Sequence, residues 1–251
     1  MKKTVYTQKQ SSFDTKKKIA LLCDLHSGNP NKVIKELKKI SPDYILLAGD
    51  ILEALDGRKD ALNEKAWRIF KECADIAPSF YCTGNHEDGA THSQNRKWKK
   101  EVERKRIYTD RNLEKIKDSG VEFLLDRWTV RDGLAFGGLS SGLLKADHKP
   151  DLAFLKEFSK LDEPKILICH HPEYYERYVQ EMNIDLTVSG HAHGGQWRIF
   201  GRGVYAPGQG LFPQYTSGEY DGGRLIVSRG LKRPWPIPRF FNRREIVIIN
   251  I

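Results

Sequence analysis

Short apolar runs recur along the whole chain, and their lengths and bounding Gly, Pro or charged residues are typical of β-strands. Amphipathic helical patterns separate several of them, which predicts an α/β fold with a largely parallel sheet. The runs span 18–23, 43–49, 79–84, 121–125, 134–139, 165–170, 184–190, 224–228 and 245–251, and the helical patterns span 31–40, 60–76, 151–158 and 173–182. From residue 184 onward, strands follow one another through Gly-rich turns, which predicts a second, more antiparallel sheet.

The length of 251 residues allows one large domain or two small ones. No repeat, low-complexity tract or linker divides the sequence, so we predict a single domain over 1–251. Within it, 1–17 is a basic N-terminal segment. Residues 88–120 are polar and basic, and a solvated helical pair is the first interpretation of them. The alternative is a cap insertion whose Arg and Lys residues steer an anionic substrate.

The formal net charge of +9 is concentrated in three segments. Residues 1–18 carry a net charge of +5, residues 96–106 carry +5 and residues 224–251 carry +6, so the rest of the chain is acidic. Solvated surfaces are the first interpretation of these segments. An anionic partner, either nucleic acid or a lipid head group, is the alternative. The stretch 231–244 adds aromatic residues and prolines to its basic charge. Structural packing is its first interpretation, and a rim of the active site or a membrane-surface contact are the others.

The four cysteines form no C-x-x-C pair and predict buried, reduced thiols rather than a cysteine metal site. No apolar run approaches the length that spans a bilayer, and the N-terminus lacks the apolar stretch of a signal peptide. We therefore expect a cytoplasmic protein without a transmembrane segment, with a peripheral position at a membrane surface as the alternative.

Histidines, carboxylates and amides cluster directly after several of the apolar runs. The clusters are Asp24–His26, Asp50, Asn85–Glu87, His170–His171 and His191–His193. In open α/β sheets ligands bind beyond the carboxyl ends of the strands, so we expect these loops to converge there. Imidazole and carboxylate suit Zn, Mn, Fe and similar ions. The set of ligands is too large for one ion and suits two ions that share a carboxylate.

The order of these motifs resembles the calcineurin-like metallophosphoesterase superfamily, whose pattern reads D-x-H, G-D-x-x-D, G-N-H-[DE], H and G-H-x-H. The resemblance runs from Asp24 to His193. The continuation GHAHGGQWRIFGRG, YAPGQGLFPQY and SRGL resembles a bacterial branch of membrane-associated or exported phosphodiesterases. The resemblance implies a two-sheet α/β sandwich with α-β-β-α layers and a dinuclear metal site at the C-terminal ends of the strands.

By this resemblance, two ions of Mn, Fe or Zn would share Asp50. One ion would be held by Asp24, His26, Asp50 and His193, and the other by Asp50, Asn85, His170 and His191. His170 is chosen over His171 because the family motif is commonly H-x-P and Pro172 stands two residues after His170. His171 is expected to be a neighbour of the site.

His86 is left over after the ligands are assigned, and it could stabilise the phosphoryl oxygen or protonate the leaving alkoxide. The family places an aspartate beside it, at the second Asp of G-D-x-x-D. Here Glu53 stands in that position and Asp56 is a second candidate. The plain alternative for Glu53 is an exposed carboxylate at the start of a helix.

We therefore expect a metal-dependent phosphoesterase that hydrolyses a phosphodiester or pyrophosphate bond by attack of a metal-bridging hydroxide, with His86 and Glu53 as catalytic residues. The alternatives are a phosphomonoesterase or a nuclease on the same centre, or a non-catalytic binding module on this fold. The expected partner is a phosphate-ester substrate.

Overall fold

The structure is a computed structural model that describes residues 1–8, 12–14, 16–53, 60–88, 109–141, 150–232 and 238–251. Its strands, in chain order, are β1 (Lys2–Thr7), β2 (Lys18–Leu22), β3 (Tyr44–Ala48), β4 (Ser79–Cys82), β5 (Glu122–Phe123), β6 (Arg127–Arg131), β7 (Leu134–Leu139), β8 (Lys165–Cys169), β9 (Leu186–Ser189), β10 (Arg198–Ile199), β11 (Arg202–Gly203), β12 (Tyr205–Ala206), β13 (Gly210–Leu211), β14 (Gly218–Tyr220), β15 (Leu225–Val227) and β16 (Glu245–Asn250). Its helices are α1 (Asn31–Ile40), α2 (Asp60–Ala66), α3 (Arg68–Ile76), α4 (Asp110–Asp118) and α5 (Leu152–Phe158). A π-helical turn lies at Tyr175–Val179, and 3₁₀ turns lie at His193–Gly195 and Asp221–Gly223.

These strands form two six-stranded sheets. The first has the order β1-β16-β2-β3-β4-β5, in which only the β16–β2 pair is antiparallel. The second has the order β14-β15-β9-β8-β7-β6, in which the four central strands are parallel and both edge pairs are antiparallel. The pairs β10–β11 and β12–β13 form two small hairpins outside the sheets.

The apolar residues are divided among three layers of core. The middle layer lies between the two sheets and includes Leu21, Phe80, Phe136 and Ile168. The outer face of the first sheet packs against α1, α3 and α4, and the outer face of the second packs against α5 and the turn at 175–179. The α-β-β-α sandwich predicted from the family resemblance is therefore the observed architecture.

The second sheet has more antiparallel pairs than the first, as predicted, but the prediction that it is built from residue 184 onward is wrong. That sheet begins at β6, its centre is parallel, and the last strand, β16, returns to the first sheet. Parallel neighbours need long crossover connections, and α5, the turn at 175–179 and residues 190–217 supply them. The Gly-rich turns after residue 190 build the two small hairpins instead.

Other differences from the predicted elements are local. The basic segment 1–17 contains the edge strand β1, where lysines are common because edge strands must resist further pairing. The predicted helix 60–76 is observed as two helices, α2 and α3. Trp67 separates them, although its own backbone angles are helical. Of the segment 88–120, residues 89–108 lie outside the described part, and α4 packs its Ile116 into the outer core of the first sheet.

The four cysteines are free and buried, as predicted. Burial raises the pKa of each of these thiols above its ordinary value, which keeps them in the neutral form. Within the described residues, no helix is both long enough and apolar enough to cross a membrane.

Candidate metal centre

Five loops converge at one edge of the sandwich, each directly after a parallel strand. The loops after β2, β3 and β4 come from the first sheet, and the loops after β8 and β9 come from the second. Backbone hydrogen bonds join them: the Asp24 amide donates to the Gly49 carbonyl at 3.0 Å, and the Gly190 amide donates to the His170 carbonyl at 3.1 Å. This convergence is the one that the strand-end clusters predicted.

Several of the predicted ligands have left-handed backbone angles. The φ values of Asp24, His26, Asp50, His191 and His193 lie between 48° and 64°. This region is uncommon for residues with a β-carbon, and such strain clusters at functional sites because the surrounding structure must hold it. The strands β2, β3 and β9 are therefore followed by sharp turns that carry these polar side chains.

The predicted ligands fall into two groups of side chains whose ligand atoms lie within 4.8 Å of one another. One group is Asp24, His26 and His193, and the other is Asp50, His170 and His191. Asn85, the remaining predicted ligand, is buried on the loop after β4. His170 rather than His171 is the member of the second group.

Asp50 lies between the two groups. Its Oδ2 atom is 3.6 Å from Nε2 of His26 and 3.4 Å from Nε2 of His170. Its Oδ1 atom accepts a hydrogen bond of 2.9 Å from the backbone amide of His86, which fixes the orientation of the carboxylate. One oxygen of Asp50 thus faces both groups, as a ligand shared by two ions would.

Several atoms of the two groups that could bind a metal ion have no hydrogen-bond partner within the protein. Among the described residues, Oδ2 of Asp24, Nε2 of His26, Nε2 of His191 and Nδ1 of His193 are buried without a hydrogen-bond partner. Leaving buried polar atoms unpaired costs free energy, and cations at the two groups would remove that cost. The residues present therefore fit metal ions that bind imidazole and carboxylate ligands.

Hydrogen bonds at Nδ1 of His170 and His26 leave the Nε2 atom of each ring to face the two groups. Nδ1 of His170 lies 2.8 Å from the Ala48 carbonyl and must donate to it, which leaves Nε2 to face Asp50. Nδ1 of His26 lies 2.9 Å from Oε1 of Glu53 in the same way. Contacts of this kind fix the tautomer and the ring orientation of metal-binding histidines.

Glu53 contacts two histidines with its two carboxylate oxygens. Oε1 lies 2.9 Å from Nδ1 of His26, and Oε2 lies 2.8 Å from Nδ1 of His86. The Glu53 amide donates to Ser27 Oγ and Asn63 Oδ1, both at 3.1 Å, so its backbone is also held. Glu53 is buried, which excludes the exposed helix-start alternative. Asp56, the second candidate, lies outside the described residues.

His86 has a side chain about one-fifth exposed, and its Nε2 atom is 3.8 Å from Oδ2 of Asp50. Burial opposes its charged form, but the Asp50 and Glu53 carboxylates outweigh that effect and raise the pKa of His86 above its ordinary value. For Glu53, burial is likewise outweighed by hydrogen bonds from His26 and His86, which hold its pKa well below the usual range. This pair favours a charged imidazolium beside a carboxylate.

Glu87 has a structural part in the site that the sequence did not reveal. Its buried carboxylate accepts four backbone hydrogen bonds, from the amides of Asp50, Ile51, Leu52 and Gly84, at 2.6–2.9 Å. It therefore fastens the turn that carries Asp50 to the turn that carries His86. The signal available in the sequence was its place in the Gly84–Glu87 motif.

His171 adjoins the Asp50 group without being one of its members. Its Nε2 atom lies 2.6 Å from Ser141 Oγ, and its Nδ1 atom lies 3.2 Å from Oε1 of Glu173. Its ring centroid is 4.2 Å from that of His191. His171, Glu173 and His191 form a further group with metal-ligand spacing. Because His191 also belongs to the Asp50 group, we interpret His171 and Glu173 as the packing behind it.

Two glycines leave room for the carboxylates. A β-carbon on Gly84 would lie 2.2 Å from Oδ1 of Asp50, and one on Gly230 would lie 2.6 Å from Oδ2 of Asp24. Gly230 belongs to the SRGL motif, for which the sequence suggested no role.

The described part of 231–244 supports the turn that carries His193. Arg239 Nη2 and Asn242 Nδ2 both donate to the His193 carbonyl, at 2.8 Å and 2.6 Å. Structural packing, the first interpretation of this stretch, is therefore observed at these two residues, and Trp235 lies outside the described part.

Comparison with known proteins identifies the class to which this fold and site belong. Residues 17–195 match the family described as Calcineurin-like phosphoesterase. This match covers more than half of the chain, so the protein belongs to that family.

The names of individual relatives are consistent with this family. An uncharacterized metallophosphoesterase of Campylobacter jejuni is 29% identical over 243 residues, which cover 93% of this chain and 59% of the relative. Phosphodiesterase YaeI of Escherichia coli is 28% identical over 195 residues, which cover 72% of this chain and 62% of YaeI. The chain thus spans about three-fifths of the length of these relatives. One solved structure with 13% identity has a TM-score of 0.53 over 85% of this chain and 90% of its own, which shows a shared fold.

Proposed function

We propose that this chain is a dinuclear-metal phosphodiesterase that hydrolyses a phosphodiester or pyrophosphate bond. The observation that carries the proposal is the position of Asp50, whose Oδ2 atom faces both histidine-carboxylate groups. The family match supports phosphoric ester hydrolysis, and the phosphodiesterase name of the E. coli relative supports a diester over a monoester.

In this proposal Asp24, His26 and His193 hold one ion, Asn85, His170 and His191 hold the other, and Asp50 is shared. Two such ions would activate water and offset the charge of the phosphate. The N and O ligands admit Mn, Fe or Zn.

In this proposal His86 donates a proton to the leaving group and Glu53 orients His86. Glu53 holds Nδ1 of His86, so Nε2 is the nitrogen left to meet the substrate. A protonated His86, held by the Glu53 carboxylate, would give its proton to the leaving oxygen, a role worth about 10²–10⁴-fold in rate. The neighbouring carboxylate keeps the imidazolium charged and oriented until transfer.

A substrate panel tests the proposal. The chain, loaded separately with Mn²⁺, Fe²⁺ or Zn²⁺, is assayed on bis(p-nitrophenyl) phosphate, p-nitrophenyl phosphate, a dinucleoside pyrophosphate, and single- and double-stranded DNA. We expect turnover of the diester or the pyrophosphate to exceed that of the monoester. Preference for the monoester, or inactivity on the whole panel with both metals bound, would overturn it.

A further inference from the structure

The six most exposed large apolar side chains of the described residues lie on three neighbouring segments. All are at least 58% exposed, and Phe200, at the tip of the β10–β11 hairpin, is fully exposed. We call this set the apolar rim: Ile199, Phe200, Leu211, Phe212, Phe240 and Phe241. Single exposed apolar residues are ordinary, but a group of this size marks an interaction surface.

Backbone contacts show that the three segments adjoin. The Arg198 amide donates to the Phe240 carbonyl at 3.1 Å, which joins the first hairpin to the C-terminal segment. The Phe212 amide donates to the Val204 carbonyl at 2.9 Å, and Gly201 and Phe212 line one cavity between the hairpins. The segments that carry the apolar rim are therefore neighbours in the fold.

This surface lies beside the metal centre. Asn242, next to Phe241, donates to the carbonyl of His193 at 2.6 Å. The Val204 amide donates to the carbonyl of Gly195, two residues beyond His193, at 3.1 Å. Whatever binds the apolar rim therefore binds at the same end of the molecule as the two groups of ligands.

The sequence around the rim has a surplus of basic residues. Between residues 191 and 244 the sequence has nine Arg and Lys residues and two acidic residues, Glu219 and Asp221. Of the basic residues, Arg202 and Arg243 are exposed and adjoin the rim along the chain. A partner for this surface must offer both an apolar region for the rim side chains and negative charge for the arginines.

We propose that the apolar rim docks on an anionic lipid bilayer. Phenylalanine and aliphatic side chains enter the boundary between head groups and acyl chains, while Arg and Lys pair with anionic head groups. A second copy of this chain would present the same positive charge and be repelled. Nucleic acid could stack on the phenylalanines, but Ile199 and Leu211 have no π-face to offer a base.

Vesicle co-sedimentation tests this docking without using catalysis. The full chain is mixed with vesicles of phosphatidylcholine alone, or of phosphatidylcholine and phosphatidylglycerol in equal parts, at low and high salt. We expect binding to the anionic vesicles that weakens at high salt. Absence of binding to anionic vesicles at low salt would overturn the proposal.

Paired variants separate the two parts of the surface. Phe200→Ser with Phe212→Ser should lower vesicle affinity by about tenfold or more per side chain. Arg202→Glu with Arg243→Glu should lower it by about fivefold or more per residue, mainly at low salt. The matched control is Val5→Ser with Val130→Ser, two exposed apolar residues on β1 and β6. The control should bind like the wild type, and thermal unfolding should show every variant folded.

Two outcomes would assign the rim to another partner and overturn the proposal. One is unchanged vesicle binding by the phenylalanine variant together with loss of single-stranded DNA binding. The other is a dimer, measured by light scattering, that the same variant dissociates while vesicle binding is absent or unchanged.

Discussion

The Oε2 atom of Glu53 lies 2.8 Å from Nδ1 of His86, although the two residues follow different strands. The family pattern has aspartate where Glu53 stands. The glutamate side chain is one methylene longer, and it reaches Nδ1 of His86. The other oxygen of Glu53 also reaches His26, so one carboxylate orients a predicted ligand and the predicted proton donor.

We expect His86→Ala to lower kcat on bis(p-nitrophenyl) phosphate by about 10²–10⁴-fold, because the proton for the leaving oxygen would come from water. His86 is not one of the proposed ligands, so the variant should keep its metals. Steady-state kinetics and elemental analysis of the same preparation measure both quantities. A metal-replete variant with wild-type turnover would remove His86 from the mechanism.

Glu53→Gln should lower kcat and also weaken metal binding. The amide keeps one acceptor oxygen, so it can hold His26 or His86 through Nδ1–H, but not both. Loss of such a supporting contact typically costs about 10–100-fold in metal affinity or activity. Metal titration followed by kinetics at saturating metal separates the two effects. Unchanged metal affinity and turnover would mean that the contacts of Glu53 with His26 and His86 do not contribute to function.

The sequence predicted which polar side chains converge at the sheet edge, but not the contacts that hold them there. Asp50 and His170 were identifiable because each follows an apolar run directly, and strand ends meet at one edge of a sheet. Glu87 and Gly230 could not be assigned a role from the sequence. Glu87 accepts its four backbone hydrogen bonds, and Gly230 approaches Asp24, only in the folded chain. The parallel centre of the second sheet was missed for a similar reason, since the crossovers that build it are set by packing rather than by local pattern.

Glu87→Gln should destabilise the fold by about 2–4 kcal/mol. Its four hydrogen bonds come from backbone amides, and the NH₂ group of glutamine would face two of these donors without accepting from them. Urea unfolding at neutral pH measures the change. The control is Glu157→Gln on α5, whose exposed ion pair with Lys160 is worth at most about 1 kcal/mol. Equal stability of the two variants would contradict the role of Glu87 as a clamp.

Asp50→Asn should abolish binding of both ions, because the shared Oδ2 atom loses its charge between the two histidine groups. Ligands that bind only the folded state stabilise it, by about 2.7 kcal/mol at a concentration one hundred times Kd. The wild type should therefore unfold at a higher temperature with added Mn²⁺ and at a lower one after chelation, while Asp50→Asn responds to neither. Asp75→Asn, an exposed carboxylate paired with Lys71, is the matched control and should respond like the wild type. Elemental analysis that still finds two metals per chain of the Asp50 variant would show that each group binds its ion without the shared carboxylate.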